Sequence, residues 1–386
     1  MKKIFIILFS FVILLVGWKN KKSEYNKEKL KIIKKEDKLY PITPIKTINI
    51  IFMLPLFFSS SSTEMNQENK KLSDHAISFY IGAKTAIDFI CSSLELNKKK
   101  KINIKIFDTK NEKKRIINFI HSYDLSKIHA IIGPFFRSSL EEVAKNNKKI
   151  PIISPFISSD DLDNYPNIIQ SETKNVYLIE PILEEIKILN QKEKIKTLYL
   201  LGEDPSKKIT NFVKKKLLQW NLHIQIFFQK KNFSHIIITK DVPFFAVFLG
   251  GNSSLGEKFI EFIQRFPEKK IIPFGIGYNN VYYKNVSFLK KYKFLFTTKY
   301  HFNQNDEKKR KMFFLIRKKL GFDLNKYQLF GFDLSYDILY KLIENNNLFE
   351  IIDKKSFSGL ISKYKYEKIS PNGGYFNKGL WIIRLH

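Results

Sequence analysis

The side chains that most often carry catalysis or bind metals are few and scattered in this sequence. Cys91 is the only cysteine, so the chain can form neither an internal disulfide nor a cysteine-based metal cluster. The seven histidines show no H-x-x-x-H or H-E-x-x-H spacing, from which a zinc hydrolase would start. No nucleophile stands at a suitable spacing from a base, and we expect Cys91 to be packed, within or just after an apolar helix. The sequence therefore predicts no enzyme, no metal site and no cofactor.

Three groups of polar residues have a spacing that is typical of helices and needs an explanation. The run from Ser138 to Glu141 reads S-S-L-E, a capping box with Ser138 as N-cap. Ser159 precedes two aspartates, which is the pattern of an ordinary cap with acidic residues in the first turn. Asp333 and Asp337 are spaced i and i+4 and thus share one helix face. We expect these aspartates to be helix-surface or interlobe groups rather than a general acid pair.

The elements that must position these residues follow a regular order. From residue 47 onward, apolar runs alternate with amphipathic segments, which is typical of βα units around a mostly parallel sheet. Two successive sets of such units, similar in length, predict two lobes rather than one very wide sheet. Helices near Glu307–Leu320 and Gln328–Glu344 follow the second set. The tail from Gly373 to Arg384 reads as a turn and a closing hairpin.

Six segments, taken in order, resemble type I periplasmic binding proteins of the branched-chain amino-acid kind. They are Leu54-Pro55, residues 82–88 (GAKTAID), 131–139 (IIGPFFRSS), 150–159 (IPIISPFISS), 332–337 (FDLSYD) and 372–379 (NGGYFNKG). The resemblance spans roughly residues 47–386. It implies an α/β fold of two lobes, each a mostly parallel sheet flanked by helices, with a cleft between the lobes.

The resemblance also implies how the chain is divided, because the chain of such proteins crosses between the lobes three times. Lobe one is expected to contain residues 46–172 and 302–350. Lobe two is expected to contain residues 173–301 and 351–386. A ligand would lie in the cleft, at strand C-termini where helix N-termini present free N–H groups.

The resemblance places the lobe-one ligand contacts on the two serine-bearing loops. The residues concerned are Phe135, Arg137, Ser138, Ser139, Phe156, Ser158 and Ser159. Hydroxyls and helix N-terminal amides suit a carboxylate, to which an arginine could add a charge. The alternative is that the serines only cap helices and that the phenylalanines fill the core.

Lobe two is less well specified by the resemblance. An amino-acid ligand needs an anion there for its ammonium group, and Glu203 and Asp204 follow a strand at the right place in the topology. Tyr278 could also reach the cleft. The pattern of the family does not specify any of these three residues.

The charge of the chain is large, but its composition argues against nucleic acid as a partner. The formal net charge is +30 at pH 7, and of the 67 Lys and Arg residues all but six are Lys. Phosphate and base recognition favours the forked guanidinium of Arg. The excess of Lys comes with an excess of Ile, Phe and Asn, which AT-rich codons supply, so we attribute the charge to compositional drift.

The N-terminus has the pattern of an export signal. Lys2 and Lys3 precede an uncharged run from Ile4 to Gly17, which is short for a membrane-spanning helix. The run ends in L-V-G-W and resembles a lipoprotein box with Trp18 in place of the lipidated cysteine. We predict a signal or anchor over residues 1–18, a polar Lys-rich linker over residues 19–45, and an exported, periplasmic protein held at the inner membrane by an uncleaved or lipoprotein-like N-terminus.

Two functions follow from these observations. The leading hypothesis is a non-catalytic envelope solute-binding protein that closes on a small polar ligand, such as an amino acid or peptide, for a membrane permease or for sensing. The alternative is an interaction or regulatory protein that contacts cell-wall machinery, because some envelope lipoproteins with this fold regulate peptidoglycan synthesis. A polar cleft favours the first hypothesis, and a filled or hydrophobic cleft favours the second.

Overall fold

The computed structural model describes residues 47–58, 65–93, 101–202, 207–230 and 242–386, together with residues 233, 236 and 238. The predicted signal over residues 1–18 and the predicted linker over residues 19–45 lie outside the described residues. Within the described ranges, no helix combines the length and the apolar character that crossing a membrane requires.

Strands and helices alternate along most of the chain. Strands β1 to β5 are Thr47–Leu54, Lys101–Asp108, Ala130–Ile132, Ile152–Ser154 and Ile168–Gln170, with helices α1 to α3 at Gln67–Ser93, Lys113–Ser122 and Arg137–Asn146. Helices α4 to α8 are Asn175–Glu193, Lys207–Gln219, Ser253–Gln264, Asn280–Lys284 and Val286–Lys291, with strands β6 to β10 at Thr197–Gly202, Gln225–Lys230, Phe244–Phe248, Ile271–Ile276 and Leu295–Thr298. Helices α9 to α11 are Glu307–Leu320, Lys326–Glu344 and Leu348–Ile351, and strands β11 to β15 are Phe357–Ser358, Lys363–Tyr364, Tyr366–Lys368, Tyr375–Asn377 and Trp381–Arg384.

Thirteen of these strands form two large sheets, one in each lobe, and β11 and β12 form a separate antiparallel pair. The first sheet has the strand order β13-β14-β5-β4-β3-β1-β2, and the second has the order β15-β10-β9-β8-β6-β7. Neighbouring strands are parallel except for the pairs β13–β14 and β10–β15. Strands β3, β4 and β8 are buried along their whole length, as expected for parallel strands covered by helices on both faces. The predicted two-lobe α/β fold is confirmed.

Helices α1 and α10 pack unusually closely in lobe one, because glycines lie at their contact. A Cβ atom at Gly82 would come within 1.8 Å of the Gln328 carbonyl oxygen, and one at Gly331 within 1.9 Å of the Phe79 carbonyl oxygen. Helix α10 begins two residues earlier than predicted, because Asn325 and Gln328 form a capping box at its start.

The last part of the chain departs from the prediction. The expected closing hairpin over residues 373–384 is wrong, because β14 and β15 belong to different sheets. Strand β14 lies parallel to β5 in the first sheet, whereas β15 pairs antiparallel with β10 in the second. The assignment of all of residues 351–386 to lobe two is therefore wrong for β13 and β14. The chain passes between the sheets after β5, after β10 and after β14.

Candidate functional site

The first serine-bearing loop, after β3, is arranged differently from the predicted capping box. Helix α3 begins at Arg137 with Phe136 as its N-cap, and this cap makes no side-chain hydrogen bond. Ser138 therefore lies in the first turn of the helix, where its side chain is exposed, while Ser139 is buried. The prediction of Ser138 as N-cap is wrong, because the N-cap is Phe136 and the helix therefore begins two residues earlier than a cap at Ser138 requires.

Arg137 is already paired on the surface of this loop. Its Nε lies 3.2 Å from Oε1 of Glu141, one turn further along α3, and its guanidinium also pairs with Asp161. Because two carboxylates already neutralise it, Arg137 is poorly placed to supply an extra charge to a ligand. Its role as a ligand contact stays a prediction.

The second serine-bearing loop, after β4, has one capping serine and one unpartnered serine. Ser159 caps the short 3-10 helix Asp160–Leu162 by accepting a hydrogen bond from the Asp161 N–H, so the predicted cap is confirmed. The Ser159 N–H donates to Oε1 of Gln170 at 2.7 Å. The Ser158 hydroxyl is buried and finds no hydrogen-bond partner within the described part of the chain.

Aromatic rings fill the space between these loops and helices α1 and α10. Phe135 and Phe156 lie 4.8 Å apart between ring centres, edge to face, and each lies 5.4 Å from Phe79. Phe156 also contacts the rings of Tyr327 and Phe330. Edge-to-face pairs of this kind stabilise packing by about 0.5–1.5 kcal/mol each beyond the burial of their area. The phenylalanines thus pack as lobe core, which was the alternative to a ligand-stacking role.

A small cavity lies beside the crossings between the lobes. Its volume is about 20 Å³, and it is bordered by Phe156, Glu172, Lys299, Tyr300 and Lys363, among others. That is space for about one water molecule. Glu172 and Lys299 form an ion pair at this cavity. An amino acid does not fit in this cavity.

An ion pair also ties the two lobes together at the edge of the cleft. Nζ of Lys208, on α5 in lobe two, lies 2.7 Å from Oδ2 of Asp160 in lobe one. Lys174, between the lobes, contacts Asp160 and Asp163 at 3.0 and 2.7 Å. Hydrogen bonds from Lys208 and Lys174 lower the pKa of Asp160 below its ordinary value.

Of the three predicted lobe-two contacts, Tyr278 lies among the described residues. Glu203 and Asp204 lie outside the described residues. Tyr278 follows β9 after Gly277, whose φ of +80° favours glycine, and its ring is 53% exposed and contacts Tyr283 at 5.5 Å. The structure does not bring Tyr278 into contact with the serine-bearing loops, and its ligand role stays a prediction.

Asp333 and Asp337 are not surface groups. The Asp333 carboxylate is fully buried and accepts hydrogen bonds from three consecutive backbone N–H groups of residues 360–362. Asp337 is buried in an ion pair with Lys341 one turn later. Burial raises the pKa of both aspartates to about 6. The burial of these two aspartates could have been inferred from the sequence, because α10 is apolar on all sides and leaves no solvent face for their carboxylates.

Two further points concern reactive groups. Cys91 is exposed on α1, so the expectation that it is packed is wrong. The helix continues to Ser93, and the periodicity of its apolar residues places Cys91 off the buried face. In the described ranges, no group of three His, Cys, Asp or Glu side chains is arranged to hold a metal ion.

Comparison with known proteins identifies the fold. No family model and no curated protein sequence matches the chain. A protein described as a branched-chain amino acid ABC transporter from Rhodospirillum rubrum is 10% identical with a TM-score of 0.63, over 88% of this chain and 98% of that one. An amino acid ABC transporter substrate-binding protein from Pseudomonas fluorescens is 11% identical with a TM-score of 0.51, over 89% and 91% of the two chains.

A third similar structure is full-length LpoA from Haemophilus influenzae. It is 11% identical with a TM-score of 0.57, over 90% of this chain. The match covers 59% of the LpoA chain, so our chain spans less than two thirds of the length of that protein. The sheet order, the three crossings and these similarities agree that this chain has the two-lobe fold of the type I periplasmic binding proteins.

Proposed function

We propose that this chain is a non-catalytic interaction protein of the cell envelope that uses the two-lobe fold to contact another macromolecule. The observation that carries the proposal is the aromatic packing of the two serine-bearing loops. Phe135 and Phe156 pack into the lobe-one core where the resemblance places ligand contacts, and the cavity of about 20 Å³ beside the crossings has room for about one water molecule. A solute-binding protein needs a cleft that admits its ligand.

The envelope location rests on the export signal predicted for residues 1–18 and on the lipoprotein-like L-V-G-W sequence that ends it. The partner that we propose is cell-wall machinery, which was the alternative to the leading hypothesis of solute binding. The likeness to LpoA over 90% of the chain is consistent with this proposal at the level of the fold.

A specific observation favours solute binding as the second candidate. The Ser158 hydroxyl is buried without a partner in the described residues, on the loop where the resemblance places ligand contacts. A buried hydroxyl without a partner costs about 1–3 kcal/mol, which a ligand oxygen would relieve. Two of the similar structures are named as ABC transporter proteins for amino acids.

Thermal melting of the full chain with the common amino acids and short peptides separates the two candidates. A ligand at a hundredfold excess over its Kd stabilises the folded state by about 2.7 kcal/mol, which raises the melting midpoint by several degrees. The interaction function predicts no shift with any of these solutes. It also predicts that photo-crosslinking in cells, from the exposed Tyr278 position, captures a cell-wall protein.

A clear shift would support the solute-binding candidate instead. In that case Ser158→Ala should abolish the shift, since it removes the unpartnered hydroxyl. Ser138→Ala, on the other loop, is the matched control, because the Ser138 side chain is exposed. A solute that raises the midpoint of the natural chain, but not that of the Ser158 variant, would overturn the interaction function.

A further inference from the structure

A cluster of cationic and aromatic side chains lies beside the crossings between the lobes. We call Lys309, Lys363, His301, Trp381 and Tyr283 the hinge cluster. Nζ of Lys363 lies 4.2 Å from the centre of the Trp381 ring, and Nζ of Lys309 lies 4.9 Å from it. The His301 ring packs edge-on at 5.6 Å from Trp381 and shares a hydrogen bond of 3.0 Å between its Nδ1 and the Tyr283 hydroxyl.

The hinge cluster is assembled from both lobes. Trp381 begins β15 in the second sheet, and Tyr283 lies on α7 of the same lobe. Lys309 lies on α9, which follows the crossing after β10, and Lys363 begins β12. The Trp381 indole donates a hydrogen bond of 2.7 Å to the Ile361 carbonyl, which fixes the ring against the segment that carries Lys363. A group bound by this cluster would therefore touch both lobes at once.

The positive charge of the hinge cluster is poorly neutralised. Lys363 has no carboxylate within 4.0 Å among the described residues. Lys309 has Asp306 at 3.8 Å, and its ammonium group donates to the Ser358 hydroxyl at 2.6 Å. Burial and the charge of Lys309 lower the pKa of Lys363, and burial also lowers the pKa of Lys309. Most other partly buried lysines near the hinge, such as Lys174 and Lys299, have a carboxylate within 3.0 Å.

The attraction between the two lysine ammonium groups and the Trp381 ring compensates for only part of the hydration that these groups lose on burial. The attraction of a cation to an aromatic face is modest, whereas a charge-assisted hydrogen bond to an oxyanion is roughly twice as strong as a neutral one. Two ammonium groups on one indole, without a carboxylate between them, leave a positive potential for which an oxyanion is the complementary partner.

We propose that the hinge cluster is a binding site for an oxyanion, a carboxylate or phosphate group, held by Lys309 and Lys363 beside Trp381. The site uses no residue of the serine-bearing loops, and Lys363 is its one residue that also borders the cavity of about 20 Å³. It goes beyond the proposed interaction function and does not depend on it, because an oxyanion can come from a free solute or from a group on a larger partner.

The test is a titration of the full chain with inorganic phosphate and, separately, with acetate, at constant ionic strength set by chloride. The readouts are intrinsic tryptophan fluorescence and the thermal midpoint. A saturable response is expected for at least one of the two anions, and the anion that gives it identifies the group. Loss of a charge-assisted hydrogen bond in Lys363→Gln should weaken binding at least tenfold.

Two further variants serve as controls for the effect of Lys363→Gln. Lys365→Gln is the matched control, two residues away, with a side chain that is 66% exposed and a carboxylate only at 4.0 Å. It removes the same charge and should leave binding unchanged. Lys363→Arg retains the positive charge and should retain most of the binding.

A purely structural role for the lysines predicts a different pattern. Lys363→Gln would then lower the thermal midpoint equally with and without anion, through the lost contact with Trp381. Three results would overturn the proposed oxyanion site. They are this equal lowering of the midpoint, a response without saturation for both anions, and an equal loss of binding in Lys365→Gln.

Discussion

Asp333 anchors a stretch of backbone beside the crossings, so its removal has an effect that can be worked out from the structure. Its carboxylate oxygens accept hydrogen bonds from the N–H groups of Leu360, Ile361 and Ser362 at 2.7, 2.9 and 2.8 Å. Asp333→Ala leaves these three buried donors without an acceptor. Each unsatisfied donor costs about 1–3 kcal/mol, so the gross loss in the free energy of unfolding is about 3–9 kcal/mol.

The buried charge offsets part of this loss. Burial raises the pKa of Asp333 from the ordinary 3.8 to about 6, even though three backbone N–H groups act to lower it. At pH 7 the ionised carboxylate therefore costs about 3 kcal/mol relative to a carboxylate in the unfolded chain. Asp333→Ala removes that cost, so the expected net loss at pH 7 is about 0–6 kcal/mol, with a central value of about 3 kcal/mol.

The same substitution should have a larger effect at lower pH. Because the folded pKa lies above the unfolded value, the stability contributed by protonated Asp333 is fully present below pH 3.8 and is lost as the pH rises through about 6. From pH 7 to pH 5 the natural chain gains about 1.4 kcal/mol from this residue, and the Ala variant gains none. Asp337 titrates in both proteins, so its contribution cancels.

Urea unfolding of both proteins at pH 5 and pH 7, followed by circular dichroism, measures this difference directly. Asp323→Ala is the control, since that side chain is 79% exposed and its pair with Arg317 lies at the surface. We expect it to change stability by less than about 1 kcal/mol at either pH. The reasoning is refuted if Asp333→Ala behaves like the control, or if its loss is the same at both pH values.

Two further substitutions test the packing of each lobe. Gly331→Ala should cost at least about 3 kcal/mol in urea unfolding, or prevent folding, because its methyl group would lie 1.9 Å from the Phe79 carbonyl oxygen of the facing helix; a mild effect would mean that the helices can separate. Tyr282→Phe should leave the free energy of unfolding unchanged or raise it, since the Tyr282 hydroxyl is buried without a partner in the described residues. A loss above about 1 kcal/mol for Tyr282→Phe would indicate that this hydroxyl has a partner, such as a bound water.

The order of elements and the fold class could be predicted from the sequence because they depend on local patterns. Helix α9 was predicted over Glu307–Leu320, as observed, since amphipathic periodicity and end signals such as Gly321 after α9 act within one or two turns. Parallel strands buried on both faces appear as short apolar runs, which the prediction also located. The alternation of these two patterns was enough to indicate two lobes.

The sheets to which the last two strands belong could not be predicted in the same way. Strands β14 and β15 are separated by three residues, which is the spacing of a hairpin, yet they pair with β5 and β10 in different sheets. Strand pairing between residues that are far apart in sequence depends on which sheet edge is free, and no local pattern carries that information.

The site depended on tertiary structure for the same reason. The sequence by itself determined which residues could contact a ligand: serines and phenylalanines on the loops after β3 and β4. Only the folded chain decided that Phe135 and Phe156 pack against Phe79 of α1 as part of the lobe-one core. The hinge cluster joins residues from both lobes, and Asp333 binds backbone 27 to 29 residues away. The neighbours of a side chain, unlike its helix or strand, are set by packing across the whole chain.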